Sequence, residues 1–338
     1  MNQKVFSIIE KYVTDSKKKL EIYRFIHYIG NQVHRSQSSS NNIAIVPSNE
    51  SYGHEYWIKK YSGWNKPIYG LIEHGLYLGN NRQKVGDKIE YDLGVILTFG
   101  DYRKEILNEV FPNMRVFKIG PRIAYAETDI NYKNEIFSLL KGNRRVLTIF
   151  PAHSITSLKS KYNIPALYGY AKKISAEYDL ENILVCLPYG DIEKGIEQDF
   201  EKLGCSTVSA GKDSVNFLPR LRAIIEMSTI TMSNSLGTNL GYCVYMGKPQ
   251  VLIPQKIDYE GTSVAKEIER RNKGGEYDLY YQKETELFAS IFDGSSGELI
   301  NEKQKELCNY YWGINDVLSS NDFYNLLSSL DEEYHKKR

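Results

Sequence analysis

The sequence predicts an α/β protein of two units, each built on a parallel sheet covered by helices. Three observations lead there. Short apolar runs alternate with helical stretches from residue 43 to residue 254, the spacing of right-handed βαβ units. The runs are close to continuous in Val, Ile and Leu, as strands buried on both faces are. The length of 338 residues is enough for two separate cores.

Taken in order, residues 3–29 place Val5, Ile8, Ile9, Val13, Leu20, Tyr23, Phe25 and Ile26 at helical spacing, interrupted at Thr14-Asp15-Ser16. Two helices are expected. Lys17, Lys18 and Lys19 give them a basic face, which reads either as a solvated surface or as a peripheral contact with anionic lipid. The polar link RSQSSSNN carries no packing signal. Strands are then expected at 43–46, 67–72, 93–99 and 115–120, with a helix in DYRKEILNEVF and another at 129–142.

The later half is more regular. Strands are expected at 145–150, 182–187, 206–210, 228–233 and 250–254. PALYGYAKKISAEYD, DIEKGIEQDFEKLG and NFLPRLRAIIEMS are the helices between them, and EKQKELCNYYW and NDFYNLLSSLDEEYHKKR are helices of the tail. The expected division is 1–42 for N-terminal helices and linker, 43–142 for the first unit, 143–317 for the second and 318–338 for a final helix.

Composition limits the functions. Lys and Arg total 43 against 42 Asp and Glu, a net charge of +1, so no global field recruits nucleic acid and any anion site must be local. Cys186, Cys205, Cys243 and Cys308 are scattered without ligand spacing, so neither a structural metal nor a disulfide framework is expected and a reducing cytoplasm fits. No signal-peptide core and no membrane-length apolar run is present. The composition does not indicate an oligomeric state.

In parallel sheets ligands gather beyond the carboxyl ends of the strands. The joint after residue 233 is the richest: Ser233, Asn234, Ser235, Gly237 and Thr238 precede a helix whose free N–H groups favour an anion. The same residues also read as an ordinary helix cap. Beyond the run at 145–150 comes His153, suited to meeting a phosphate or protonating a leaving group. Pro188, Tyr189 and Gly190 follow the run at 182–187, with Asp191 as a contact or a cap. In the first unit, Glu73 and His74 sit directly at a strand end, where either is placed to act as general base on an acceptor hydroxyl. The competing reading is a hydrogen-bonded pair bracing the turn at Gly75. Glu50 and His54 are the next acceptor-side candidates.

FLPRLRAIIEMSTITMSNSLGTNLGYCVYMGKPQVLI resembles the donor-binding segment of GT-B glycosyltransferases, with helix, strand, Ser/Thr/Gly joint, helix and Gly-Lys-Pro-strand in succession. The likeness covers residues 145–255; the first unit shares only the general layout. It implies two Rossmann-like domains facing a cleft, with a nucleotide sugar held by the second. By it Ser233, Asn234, Ser235, Gly237 and Thr238 become phosphate contacts and His153 a leaving-group stabiliser. FPAHS is similar to the His-Pro element of bacterial sialyl-, Kdo- and polyol-phosphate transferases, although the order here is Pro-Ala-His. No acidic residue follows in NLGYCVYMGKP to meet a ribose, so the donor stays undecided between CMP- and UDP-linked sugars. The implied activity is sugar transfer to a glycan or lipid-linked hydroxyl in bacterial surface polysaccharide or lipopolysaccharide synthesis, inverting and with no metal or other cofactor required. A nucleotide-sugar 2-epimerase, a polyol-phosphate transferase and a non-catalytic nucleotide-sugar binding subunit are the alternatives.

Overall fold

The computed structural model describes residues 46–83, 93–154, 158–262 and 279–336. The helices expected over 3–29, the link after them, all but Val46 of the run at 43–46, and residues 337–338 lie outside these.

Two parallel sheets form the frame, with helices on both faces as the sequence predicts. The first has three strands in the order β1-β2-β3: β1 (Leu71–Ile72), β2 (Val95–Thr98) and β3 (Arg115–Lys118). On one face Ile72, Val95 and Leu97 pack on α1 (His54–Ser62). On the other Ile96 and Val116 meet Leu107 of α2 (Asp101–Val110). Leu71–Ile72 is shorter than the expected run at 67–72. Pro67 lacks an N–H to donate, and the carbonyl of Gly70 accepts from the Asn49 side chain at 2.8 Å rather than from a neighbouring strand.

The stretch beginning at His54, beyond the strand expected at 43–46, is helical. Gly53 at φ +75° supplies a left-handed residue at its start, and Trp57 and Ile58 provide its buried side.

A short α3 (Ile130–Leu139) leads to the second sheet, whose order is β7-β6-β4-β8-β9, all parallel. Its members are β4 (Val146–Phe150), β6 (Asn182–Cys186), β7 (Ser206–Val208), β8 (Ile230–Ser233) and β9 (Gln250–Leu252). Alternation sends Leu147, Ile149, Val185, Ile230, Met232 and Val251 to α4 (Ile164–Glu177) and α6 (Ile196–Glu201). Val146, Phe150, Leu184 and Leu252 face α7 (Phe217–Met227), α8 (Thr238–Tyr245) and α9 (Leu279–Ile291). The helix expected across 191–204 is two: α5 (Tyr189–Glu193) and α6, parted at Gly195, φ +74°. An antiparallel pair that the periodicity does not reveal, β5 (Lys159–Lys161) with β10 (Asp258–Glu260), lies in the segments following β4 and β9.

The chain then crosses back. From α10 (Glu302–Trp312) it passes Gly313 against Gly100 and Gly120, where a β-carbon on Gly100 would stand 2.6 Å from the Gly313 nitrogen. Only bare backbone fits that crossing. α11 (Ser320–Lys336) then places Phe323, Leu327 and Leu330 in the core of the first sheet. Among the described residues no helix is long and apolar enough to cross a membrane.

Trp312 is fully buried on Gly241, where an added β-carbon would lie 2.2 Å from the ring. Gly241→Ala is therefore expected to lower the unfolding free energy by about 1–3 kcal/mol through overpacking, read as a lower urea midpoint. An unchanged midpoint would show that the ring moves freely.

Candidate functional site

The second sheet changes direction at its centre. From β4 the chain runs outward through β6 to β7, then returns to β8 on the other side of β4. The joints after β4 and β8 therefore flank the switch point at the carboxyl ends, the crevice where ligands usually bind in such sheets. Side chains hold this crevice in shape. Asn234, fully buried, accepts from the Ala152 N–H at 2.6 Å and donates to Gln255 at 3.0 Å. Asp191, also buried, accepts from the Ser154 N–H at 3.0 Å. The Ser233 hydroxyl accepts from Asn239 at 3.0 Å and from Gln250 at 2.8 Å.

The five residues of the joint thus divide. Ser233 and Asn234 are enclosed and committed to protein partners, so they set its geometry. Ser235, Gly237 and Thr238 are half-buried and line it. Gly237 is extended at φ −159° and ψ 175°, and α8 begins at Thr238 with no side-chain cap of its own. Its first N–H groups therefore keep their anion-binding capacity.

His153 stands at the end of β4, exposed to solvent yet closely surrounded by protein, the setting of a residue lining a cleft. Loss of hydration lowers its pKa, and the Asp191 carboxylate opposes that shift in part. Pro188, Tyr189 and Gly190 are half-buried at the start of α5, with the Lys212 ammonium 4.3 Å from the Tyr189 ring centre.

The first unit supplies the opposite wall. Glu73, 2% exposed, receives Arg103 through Nη2 at 2.5 Å and Nε at 3.2 Å, and also accepts from the Thr98 hydroxyl. Its carboxylate is a brace, held by Arg103 and Thr98 and not by His74 as the competing reading of the turn has it, and has no oxygen left open to solvent. Arg122 is buried beside it. Its guanidinium donates to the carbonyls of Glu73 at 3.2 Å, Leu97 at 3.1 Å, Thr98 at 3.2 Å and Gly120, and lies 4.1 Å from the Phe99 ring centre. One cation so ties the carboxyl ends of all three strands. Both guanidiniums thus lie in one hydrogen-bonded cluster at the strand ends.

His74 is half-buried between Tyr52 and Tyr77, at ring separations of 6.2 and 5.8 Å. His54 is 1% exposed, and its Nδ1 has no hydrogen-bond partner among the described residues. Burial holds its pKa well below the ordinary value, helped by the charge of Arg122 and by His74. Glu50 is exposed beside Glu55.

The two walls meet at defined points. The Leu76 N–H donates to the Thr238 hydroxyl at 3.0 Å, and Gly75 faces the same oxygen. Tyr52, a non-glycine residue at φ +56°, gives its N–H to Asp213 and its ring meets that of Phe217 at 4.5 Å, tilted by 43°. The Trp57 indole donates to the Val215 carbonyl at 2.6 Å. The loop carrying His74 is thereby seated on the start of α8, while Glu50 takes no part in these contacts.

Arg103 and Arg122 escape a reading of strand ends. A faint signal exists: Arg103 precedes Leu107 by one helical turn on the buried side of α2, and Arg122 follows the joint Gly120-Pro121 directly.

No protein-family model matches the chain, and no curated protein matches it. Among solved structures it is similar to the wall teichoic acid polymerase TagF, with 13% identity and a TM-score of 0.42 over 81% of this chain and 69% of that one. A TagF variant soaked with CDPG gives 14% and 0.43 over 80% and 68%. TarM gives 11% and 0.31 over 85% and 55%.

Two outcomes are expected. Arg103→Met leaves the Glu73 carboxylate buried and unpaired, and should cost about 3–5 kcal/mol in urea unfolding. For His54 the folded pKa is depressed, so its contribution is complete above the unfolded value near ~6.5 and is lost as pH falls through that value toward the folded one. The unfolding free energy should therefore drop between pH 7.5 and 5.5, by up to about 1.4 kcal/mol per pH unit, more steeply in the native protein than in His54→Gln. Equal slopes would mean that His54 is hydrated when folded.

Proposed function

We propose that this protein is a glycosyltransferase of GT-B architecture that moves a sugar from a nucleotide donor to a hydroxyl of a glycan or lipid-linked acceptor. The observation that carries this reading is the meeting of two strand-end joints. The crevice beside β4 and β8, lined by His153 and the start of α8, lies against the first-unit loop that bears His74.

The donor's phosphate is read into the crevice from the uncapped start of α8, whose N–H groups favour an anion. His74 is the open acid-base group on the acceptor wall, since Glu73 is fully engaged. In the reaction the acceptor oxygen loses its proton to the His74 imidazole and forms a bond to the anomeric carbon. The bond from that carbon to the phosphate oxygen breaks, and its electron pair leaves with the nucleotide. The developing charge is met by the α8 N–H groups and by protonated His153. A single displacement of this kind inverts the anomeric centre. The donor, CMP- or UDP-linked, comes from the cytoplasm, and the product serves bacterial surface polysaccharide synthesis.

Calorimetric titration with CMP, CDP, UDP, GDP and dTDP is expected to find at least one ligand, and His153→Ala should weaken it by about tenfold. Protonation of His153 favours the bound anion, so affinity rises as pH falls from 8 toward 6, and this dependence is lost in His153→Ala. His74→Ala should reduce transfer by about 100-fold or more while leaving nucleotide affinity within twofold. Failure of every nucleotide to bind the native protein would overturn the assignment.

A further inference from the structure

The loop from Glu73 to Leu76 is fastened once to each unit. At one end the Glu73 N–H donates to the Leu97 carbonyl at 3.1 Å and its own carbonyl accepts from Arg122, which fixes that end to the first sheet. At the other end the Leu76 N–H donates to Thr238 Oγ1 at 3.0 Å, across the seam. His74 and Gly75 are the span between.

Thr238 itself cannot follow the loop. The Trp312 indole donates to its carbonyl at 3.1 Å, and that ring is pressed on Gly241 one turn along α8. A hydroxyl has one hydrogen to give and two lone pairs to accept with. Leu76 uses one lone pair, and the hydrogen is given to no described residue. It sits on the first residue of α8, where the proposed phosphate would stand.

We infer that Thr238 is a positioning residue that couples the two substrates, its hydroxyl donating to the donor's phosphate while accepting from Leu76 and so holding His74 in register with the bound donor. This rests on the glycosyl-transfer reading. Donation to an anion polarises the hydroxyl and strengthens the bond it accepts. The donor therefore orders the His74 loop before the acceptor arrives, and the reaction proceeds donor first.

The experiment is hydrogen exchange of the peptide spanning 73–78 in the full chain, with and without saturating CDP, UDP or inorganic pyrophosphate, for the native protein, Thr238→Ser and Thr238→Val. Saturation is set by calorimetry for each variant. Added ligand should slow exchange of this peptide by about tenfold in the native protein and in Thr238→Ser, and leave it unchanged in Thr238→Val at full occupancy. In transfer assays Thr238→Val should lower kcat by about 100-fold, with Thr238→Ser within threefold. Thermal melting separates a folding defect, which would alter exchange throughout α8 without ligand. Binding to the native protein with no protection at 73–78, or equal protection in Thr238→Val, overturns the coupling alone. If none of the three probes binds, the coupling and the transferase reading fall together.

Discussion

The buried guanidinium of Arg122 is the constraint on which the first unit depends. Three parallel strands end side by side, and in a dry interior the carbonyls at their ends require donors. Arg122 supplies them at Leu97, Thr98, Gly120 and Glu73. A second guanidinium, Arg103, then needs the Glu73 carboxylate, and Glu73 needs Thr98. A charge this deep is tolerated only when nearly every hydrogen is matched. Once matched, it makes the strand ends rigid at the place where they face the other unit. His54 is kept neutral beside them, which spares the interior a further cation.

The second unit solves the same problem differently. Its strand ends are joined chiefly by amides and hydroxyls, with Asn234 between the joints after β4 and β9 and Gln250 reaching Ser233, and by one carboxylate, Asp191, between the joints after β4 and β6. The anion-binding capacity of α8 is thereby left uncompensated from within. A net charge of +1 for the whole chain reveals nothing of such local arrangements.

Much of the frame is legible in the sequence because strands buried on both faces must be apolar throughout. β2 and β4, buried along their whole length, show this plainly, whereas the edge strand β3 carries a charged residue at each end. Short elements were less visible: His54–Ser62 begins with residues that suit a loop, and β5 with β10 has no apolar pattern. At the site, the position of His153 could be read from its place after a strand. The division of labour inside SNSLGT could not, since Ser233 and Ser235 are the same residue type and differ only in what Asn239 and Gln250 do. Glu73 shows the limit best. Its strand-end position is readable, but the partner that occupies it, Arg103, is thirty residues away on a helix whose composition looks solvent-facing.

The return of α11 to the first sheet gives the chain an order of assembly. All five strands of the second sheet are in hand once synthesis passes residue 252, whereas Phe323, Leu327 and Leu330 complete the first core only after residue 330. The unit made earlier is therefore finished later. Until α11 is made, the core that Ile58, Ile68, Ile72 and Leu97 share lacks one of its sides, and apolar surface left open in this way is what chaperones cover.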